Sequence, residues 1–300
     1  MTSMLNVPSP ASAATLVLGA GGVRGLAHVG AIKVFERNQV RFDLVVGASI
    51  GALVGAAFAM GIGASELERA TVDTPLRDLL RFRPHGTGLL CEPTITSYLG
   101  RLYGDARIEE LPVRFVAATA SLRTRSVIGL DRGLVVEAVR AAIAAPFLLS
   151  PVALRGDLLA DSGLIDGLPV GLARQHGAGR VVAVEADTRA PSLFERWPAR
   201  HLRGWALRVL EPWLKVEPPT PTRRWILLHQ LCAAARRPAF QEEADLTIRP
   251  LFGRIMSNDA RHRARCVLLG EAAAETHLGD LLRLVGRTTG TPSPSGEASG

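Results

Sequence analysis

The chain has 300 residues, 47% hydrophobic and 21% charged, a globular usage that excludes a mainly disordered chain. Its three cysteines, Cys91, Cys232 and Cys266, lie far apart with no CxxC pair, which argues against a disulfide framework or a zinc ribbon. The net charge of +7 is carried almost wholly by arginine and keeps nucleic acid, anionic membrane and acidic substrate open as partners.

Residues 1–14 are rich in Ser, Pro and Ala and are expected to be flexible, without the basic-then-apolar pattern of a secretory signal. From Thr15 an apolar run ends in glycines, which reads as a buried strand entering a loop. Leu26, Val29, Ile32, Val34 and Phe35 give helical spacing over 26–39. A strand at 44–46 and a helix over 50–60 follow. The uncharged run 44–65 is long enough to cross a bilayer, but a buried strand and a small-residue helix explain it better. Ser65, with Glu68 three residues on, is expected to cap the next helix. Further on, strands are expected at 114–119, 157–160, 180–185 and 245–249, and a helix over 134–145. Alternating strands and helices predict an α/β fold with a mainly parallel sheet, occupying 15–286 as one domain. A basic segment at 191–221 interrupts the rhythm, and 287–300 is a polar tail expected to be disordered.

Three motifs carry chemistry. Gly47-Ala48-Ser49-Ile50-Gly51 is G-x-S-x-G between a strand and a helix. A sharp turn there needs small neighbours, exposes the serine Oγ, and sets the helix N-terminus near a developing oxyanion. The plain alternative is a turn chosen for tight packing. Gly19-Ala20-Gly21-Gly22-Val23-Arg24-Gly25 joins the first strand to its helix. A dinucleotide fingerprint would need glycine at Arg24, and no Gly-Lys-Ser/Thr makes a P-loop. An oxyanion hole fits better, with Arg24 either holding the loop or adding positive potential. Asp161-Ser162-Gly163 offers a carboxylate in a small, apolar setting, where desolvation makes a stronger base. Asp161 could equally cap the following turn.

In this order the motifs resemble the patatin-like phospholipase family, whose pattern is a G-G-x-R-G loop, then G-x-S-x-G, then an aspartate followed by glycine. Gly30-Ala31-Ile32, Gly88-Leu89-Leu90, and Ala145-Pro146 before Ser150-Pro151 add to the likeness, which covers about 15–190 well. The resemblance implies a three-layer α/β/α fold and a Ser49–Asp161 dyad without histidine. It also implies an oxyanion hole at Gly21, Gly22, Val23, Arg24 and Gly25, with Gly47 and Gly51 flanking the nucleophile. Such a site would cleave fatty-acyl esters of phospholipids or other lipids through an acyl-enzyme, with no metal or other cofactor. Two positions depart from the pattern. Ser162 replaces the usual glycine, at a cost of about 1 kcal/mol if φ is positive there. Gly167 stands where asparagine is common.

Other readings stay open. A Ser-His-Asp triad would draw on His262 or His277, although neither has motif context. His28, one turn after the glycine loop, reads as structural. A catalytically silent scaffold would keep the fold and use Ser162 as its mark of lost activity. Trp197, Trp205, Trp213 and Trp225 cluster among arginines, which suits either a cover over the site or peripheral contact with an anionic membrane. No nucleic-acid motif appears, so nucleic acid is not expected as a partner. A cytoplasmic location, with a pool at the membrane, is the expectation.

Overall fold

The computed structural model describes residues 14–74, 82–85, 88–146, 148–187, 226 and 242–286. The expected cover segment 191–221 with Trp197, Trp205 and Trp213 lies outside the described residues, as do Trp225 and the tail 287–300.

Strand β1 (Ala14–Leu18) enters a 3-10 turn, Gly22–Leu26, and helix α1 (Ala27–Arg37). Strand β2 (Phe42–Ala48) enters α2 (Ile50–Ala59), followed by α3 (Ala64–Glu68). The run 44–65 is therefore strand, turn and helix, and no helix among the described residues is long and apolar enough to cross a membrane. Ser65 does not cap α3. Gly63 occupies that position, and the Glu36 carboxylate of α1 accepts the Ala64 N–H at 3.0 Å. A carboxylate brought by tertiary packing replaces the local cap.

A hairpin, β3 (Phe82–His85) and β4 (Gly88–Leu90), precedes α4 (Glu92–Tyr103). Then come β5 (Arg114–Ser121), β6 (Ser126–Leu130), α5 (Val135–Ala142), β7 (Val152–Leu154) and β8 (Asp157–Asp161). The described chain ends with α6 (Val170–Gln175), β9 (Val181–Val184), β10 (Leu246–Ile248), α7 (Arg263–Thr276) and α8 (Leu278–Leu284). Helix α5 stops short of the expected 145 because the chain must turn. The Ala144 carbonyl leaves the helix and accepts the Asp161 N–H at 3.0 Å.

The large sheet has strand order β10-β9-β1-β2-β5-β8-β7, with β6 also paired to β5. Strands β10, β9, β1, β2 and β5 run parallel to one another, while β6 and β8 are antiparallel to β5. Alternation divides the buried side chains between two faces. Leu16, Leu18, Val45, Phe115, Val182 and Val184 face the larger core, shared with α1, α2, α4, α5 and α7. Val17, Leu44, Val46, Val116, Val181 and Ala183 face a smaller core with Val170, Leu172 and Ala173 of α6. The architecture is a three-layer α/β/α sandwich.

Helices α1 and α7 cross at glycines. A Cβ on Gly30 would stand 1.9 Å from the Val267 carbonyl oxygen, and one on Gly270 1.9 Å from that of Ala27. This contact seats α7 against the helix that follows the glycine loop.

Candidate active site

The β5 register brings Ser49 and Asp161 together. Ala117 and Ala118 pair with Gly47 and Ala48 on one edge and with Leu130 and Gly129 on the other. Thr119, Ala120 and Ser121 keep β6 as partner on that second edge but pair with Asp161, Ala160 and Leu159 across the first. Strand β8 therefore continues the edge that β2 leaves, running toward it head to head. Ser49 follows Ala48 at the Ala118 level, and Asp161 stands at the next level, opposite Thr119.

Ser49 has φ 54° and ψ −125°, which turns the chain sharply from β2 into α2. That conformation is costly for a residue with a side chain and is held by its surroundings. Gly47 packs on the first turn of α2, where a Cβ would lie 2.4 Å from the Gly51 oxygen. Gly51 packs on the end of β1, where a Cβ would lie 2.2 Å from the Leu18 oxygen. Both glycines of the motif are thus needed for backbone approach.

Asp161 is 5% exposed. Burial, the largest effect, pushes its pKa up to about 6, while hydrogen bonds from the Ser49 side chain and the Gly163 N–H pull it down. The Gly163 N–H donates to Oδ1 at 2.8 Å, so Asp161 caps the turn Ser162–Leu164 while its carboxylate also accepts from the Ser49 side chain. Ser162 does not take a positive φ, so the strain expected of it is absent. Its hydroxyl is instead buried with no hydrogen-bond partner among the described residues. Gly167 contributes its carbonyl, which accepts the Ala20 N–H at 2.7 Å and ties the aspartate loop to the glycine loop.

The glycine loop is only in part what the resemblance implies. Gly22 has φ +54°, a left-handed conformation suited to glycine, and a Cβ there would stand 2.5 Å from the Ser257 oxygen. The N–H groups of Gly21 and Gly22 find no acceptor among the described residues. Val23 and Arg24 depart from expectation as donors. The Val23 N–H is given to the Ser257 carbonyl at 2.7 Å and the Arg24 N–H to Gly21 at 3.2 Å. Gly25 instead permits close approach to the elbow, since a Cβ would fall 1.9 Å from Ile50 Cγ2.

The Arg24 side chain is 6% exposed and holds the loop. Its Nε donates to the Ile255 carbonyl at 2.8 Å, and its guanidinium lies 5.7 Å from the centre of the Phe252 ring. Sequence reasoning could not reach these partners, because nothing in residues 252–257 signals an association with residues 22–24. His28, expected to be structural, is fully buried with Nε2 2.7 Å from the Gly19 carbonyl oxygen. Burial lowers its pKa to about 4, so it is neutral at pH 7, and its Nε2–H donates to Gly19 at the root of the loop. Arg140 is a further support. It pairs with Glu92 at 3.4 Å and donates to the Ser150 carbonyl at 3.2 Å, bracing the turn that receives Asp161.

The two triad candidates each stand beside an acid other than Asp161. His262 Nδ1 lies 2.9 Å from Asp259, and His277 Nδ1 lies 4.0 Å from Asp280.

Comparison with known proteins agrees with this architecture. The patatin-like phospholipase family matches residues 16–174. The chain is 30% identical to the human patatin-like phospholipase domain-containing protein 6 over 215 residues, 68% of this chain and 16% of that protein. It is 29% identical to the lysophospholipase NTE1 of Scheffersomyces stipitis over 202 residues, 61% of this chain and 13% of that protein. An uncharacterized NTE family protein of Mycobacterium tuberculosis is 30% identical over 63% of this chain and 55% of its own. The chain thus spans a small share of the larger relatives. Among solved structures, VipD of Legionella pneumophila superimposes with a TM-score of 0.50 at 16% identity, covering 90% of this chain and 67% of that one, a likeness of fold. By its ordered motifs and by the family match over 16–174, the chain belongs to the patatin-like phospholipase family.

Proposed function

We propose that the protein is a serine lipid acyl hydrolase working through a Ser49–Asp161 dyad. The β5 register supports this most directly, because it sets a serine at a strained turn beside a buried carboxylate whose pKa is near 6. Such a carboxylate is ionised at pH 7 yet basic enough to take a proton. Ser49 Oγ attacks the ester carbonyl carbon while Asp161 takes its proton. The carbonyl oxygen becomes negative and is held by the N–H groups of Gly21 and Gly22, aided by the N-terminus of α2. Asp161 returns the proton to the departing alcohol as the ester bond breaks. Water then attacks the acyl-enzyme, Asp161 takes its proton and passes it to Ser49, and a fatty acid leaves.

The relatives' names, a lysophospholipase and a phospholipase-domain protein, support a glycerophospholipid carrying one or two acyl chains as substrate. The hydrogen bond from the Ser49 side chain to Asp161, with His262 and His277 beside other acids, favours the dyad over a triad. The unstrained backbone at Ser162 removes the reason to read the chain as an inactive scaffold. The test is fatty-acid release from lysophosphatidylcholine and phosphatidylcholine. Wild type is expected to release fatty acid and Ser49→Ala to fall at least about a thousandfold, as for loss of a nucleophile. Equal release by both would remove Ser49 from the reaction.

A further inference from the structure

Residues 251–257 touch the glycine loop with one set of groups and face solvent with another. Phe252 and Ile255 are buried, the Phe252 ring lies under Arg24, and the Ile255 and Ser257 carbonyls accept from Arg24 Nε and Val23 N–H. Around these inward groups residues 251, 253, 254 and 256 are exposed. Leu251 is 83% exposed and Met256 56%, among the most exposed large hydrophobic side chains of the described residues. Arg254 between them is exposed and makes no ion pair among the described residues. The nearest acid in sequence, Asp259, is engaged by Arg261 and His262. Among the described residues the loop is anchored by its inner groups, the buried Phe252 and Ile255 side chains and the Ile255 and Ser257 carbonyls.

We propose that the outer face of residues 251–256 is a docking surface for an anionic phospholipid membrane. Apolar side chains that enter the acyl boundary and a cation that stays with the headgroups are the two components such a surface requires. Charge complementarity selects this occupant over an apolar protein partner, since an unpaired arginine at the centre of a dry interface would be costly. Continuity with the site adds a second reason. The same short loop that meets the lipid also accepts the Val23 N–H and the Arg24 side chain, so docking brings the bilayer to the rim of the proposed oxyanion hole. The proposal rests on the lipid-ester reading of the site but concerns residues outside its chemistry.

The test uses the full chain and vesicles of phosphatidylcholine, with and without phosphatidylglycerol. Sedimentation is expected to show wild type and Ser49→Ala binding the phosphatidylglycerol vesicles equally. The Leu251→Ser/Met256→Ser double variant should bind at least about tenfold more weakly. Arg254→Glu should lose the preference for phosphatidylglycerol. All of these except Ser49→Ala should hydrolyse a soluble short-chain ester within about twofold of wild type, since the side chains of Leu251, Arg254 and Met256 are exposed. Unchanged vesicle binding in the double variant overturns the proposal. So does a wild-type dimer that the double variant converts to monomer, because the face would then serve a second copy of the chain. Vesicle binding without ester hydrolysis by wild type would sink the hydrolase reading and leave this surface standing.

Discussion

Ser49 is held at φ 54°, outside the conformations an ordinary residue prefers, at a cost of order 1–3 kcal/mol. The neighbours that impose this are small because they must be, and so the G-x-S-x-G motif is readable from sequence. Asp161 was less readable. A cap and a base have the same local signature, and here one carboxylate caps the turn through Oδ1 on the Gly163 N–H and takes a further hydrogen bond from the Ser49 side chain. Ser162 looked like a defect on the assumption that its position needs a positive φ, and the structure removes that premise. Its buried hydroxyl has no hydrogen-bond partner among the described residues, so Ser162→Ala should be neutral or stabilising by up to about 1 kcal/mol, with ester hydrolysis retained. Urea denaturation checks this, and a loss of more than about 2 kcal/mol would mean that the hydroxyl has a partner after all.

At the level of elements, the strands nearest the site were legible because β1, β2, β5 and β9 are short apolar runs bounded by glycine, proline or charge. Strands β6 and β7 were not, since Ser126–Leu130 and Val152–Leu154 lie at the margin of the sheet and carry weaker patterns. Helix α4 has Pro93 at its start and Ile95, Leu99 and Tyr103 at four-residue spacing, but polar residues between them dilute the signal. The crossing of α1 and α7 was also hidden. Gly30 appeared only as part of a family pattern, and its complement Gly270 lies in a helix whose apolar face is weakly marked. Because each missing Cβ would meet backbone rather than a mobile side chain, Gly270→Ala is expected to destabilise the fold by about 2 kcal/mol or more. A thermal melt tests this. An unchanged midpoint would mean that the helices can separate freely, and the seat of α1 behind the glycine loop would lose its explanation.

For the whole molecule, two buried titratable groups act on stability with opposite signs. Asp161 is raised from 3.8 to about 6 on folding, so its contribution is full below pH 3.8 and is lost as pH rises through about 6. His28 is lowered from 6.5 to about 4, so its contribution is full above pH 6.5 and is lost as pH falls toward about 4. Each shift corresponds to about 3 kcal/mol, and the two largely cancel between pH 4 and 6.5. Asp161→Asn removes one side of this balance. Its unfolding free energy, measured by urea at pH 4.5 and 7, should rise with pH more steeply than that of wild type. A pH dependence equal to wild type would show that Asp161 is not titrating in a desolvated site. At this scale the fold class and the order of motifs were legible in sequence. The closure of the site by residues 252–257 was not, because it depends on contacts across more than two hundred positions of chain.

In the proposed reaction Ser49 is activated by Asp161 and by no histidine. The most direct test is the rate at which an alkyl fluorophosphonate labels the protein between pH 4.5 and 8, with the modified residue mapped by mass spectrometry. The label should fall on Ser49, with a rate that climbs through about pH 6 as the Asp161 carboxyl ionises. Asp161→Asn should label at least about a hundredfold more slowly and lose that climb, while His262→Ala and His277→Ala keep wild-type rates. Fast labelling of Asp161→Asn with the same pH dependence, or loss of labelling in either histidine variant, would contradict it.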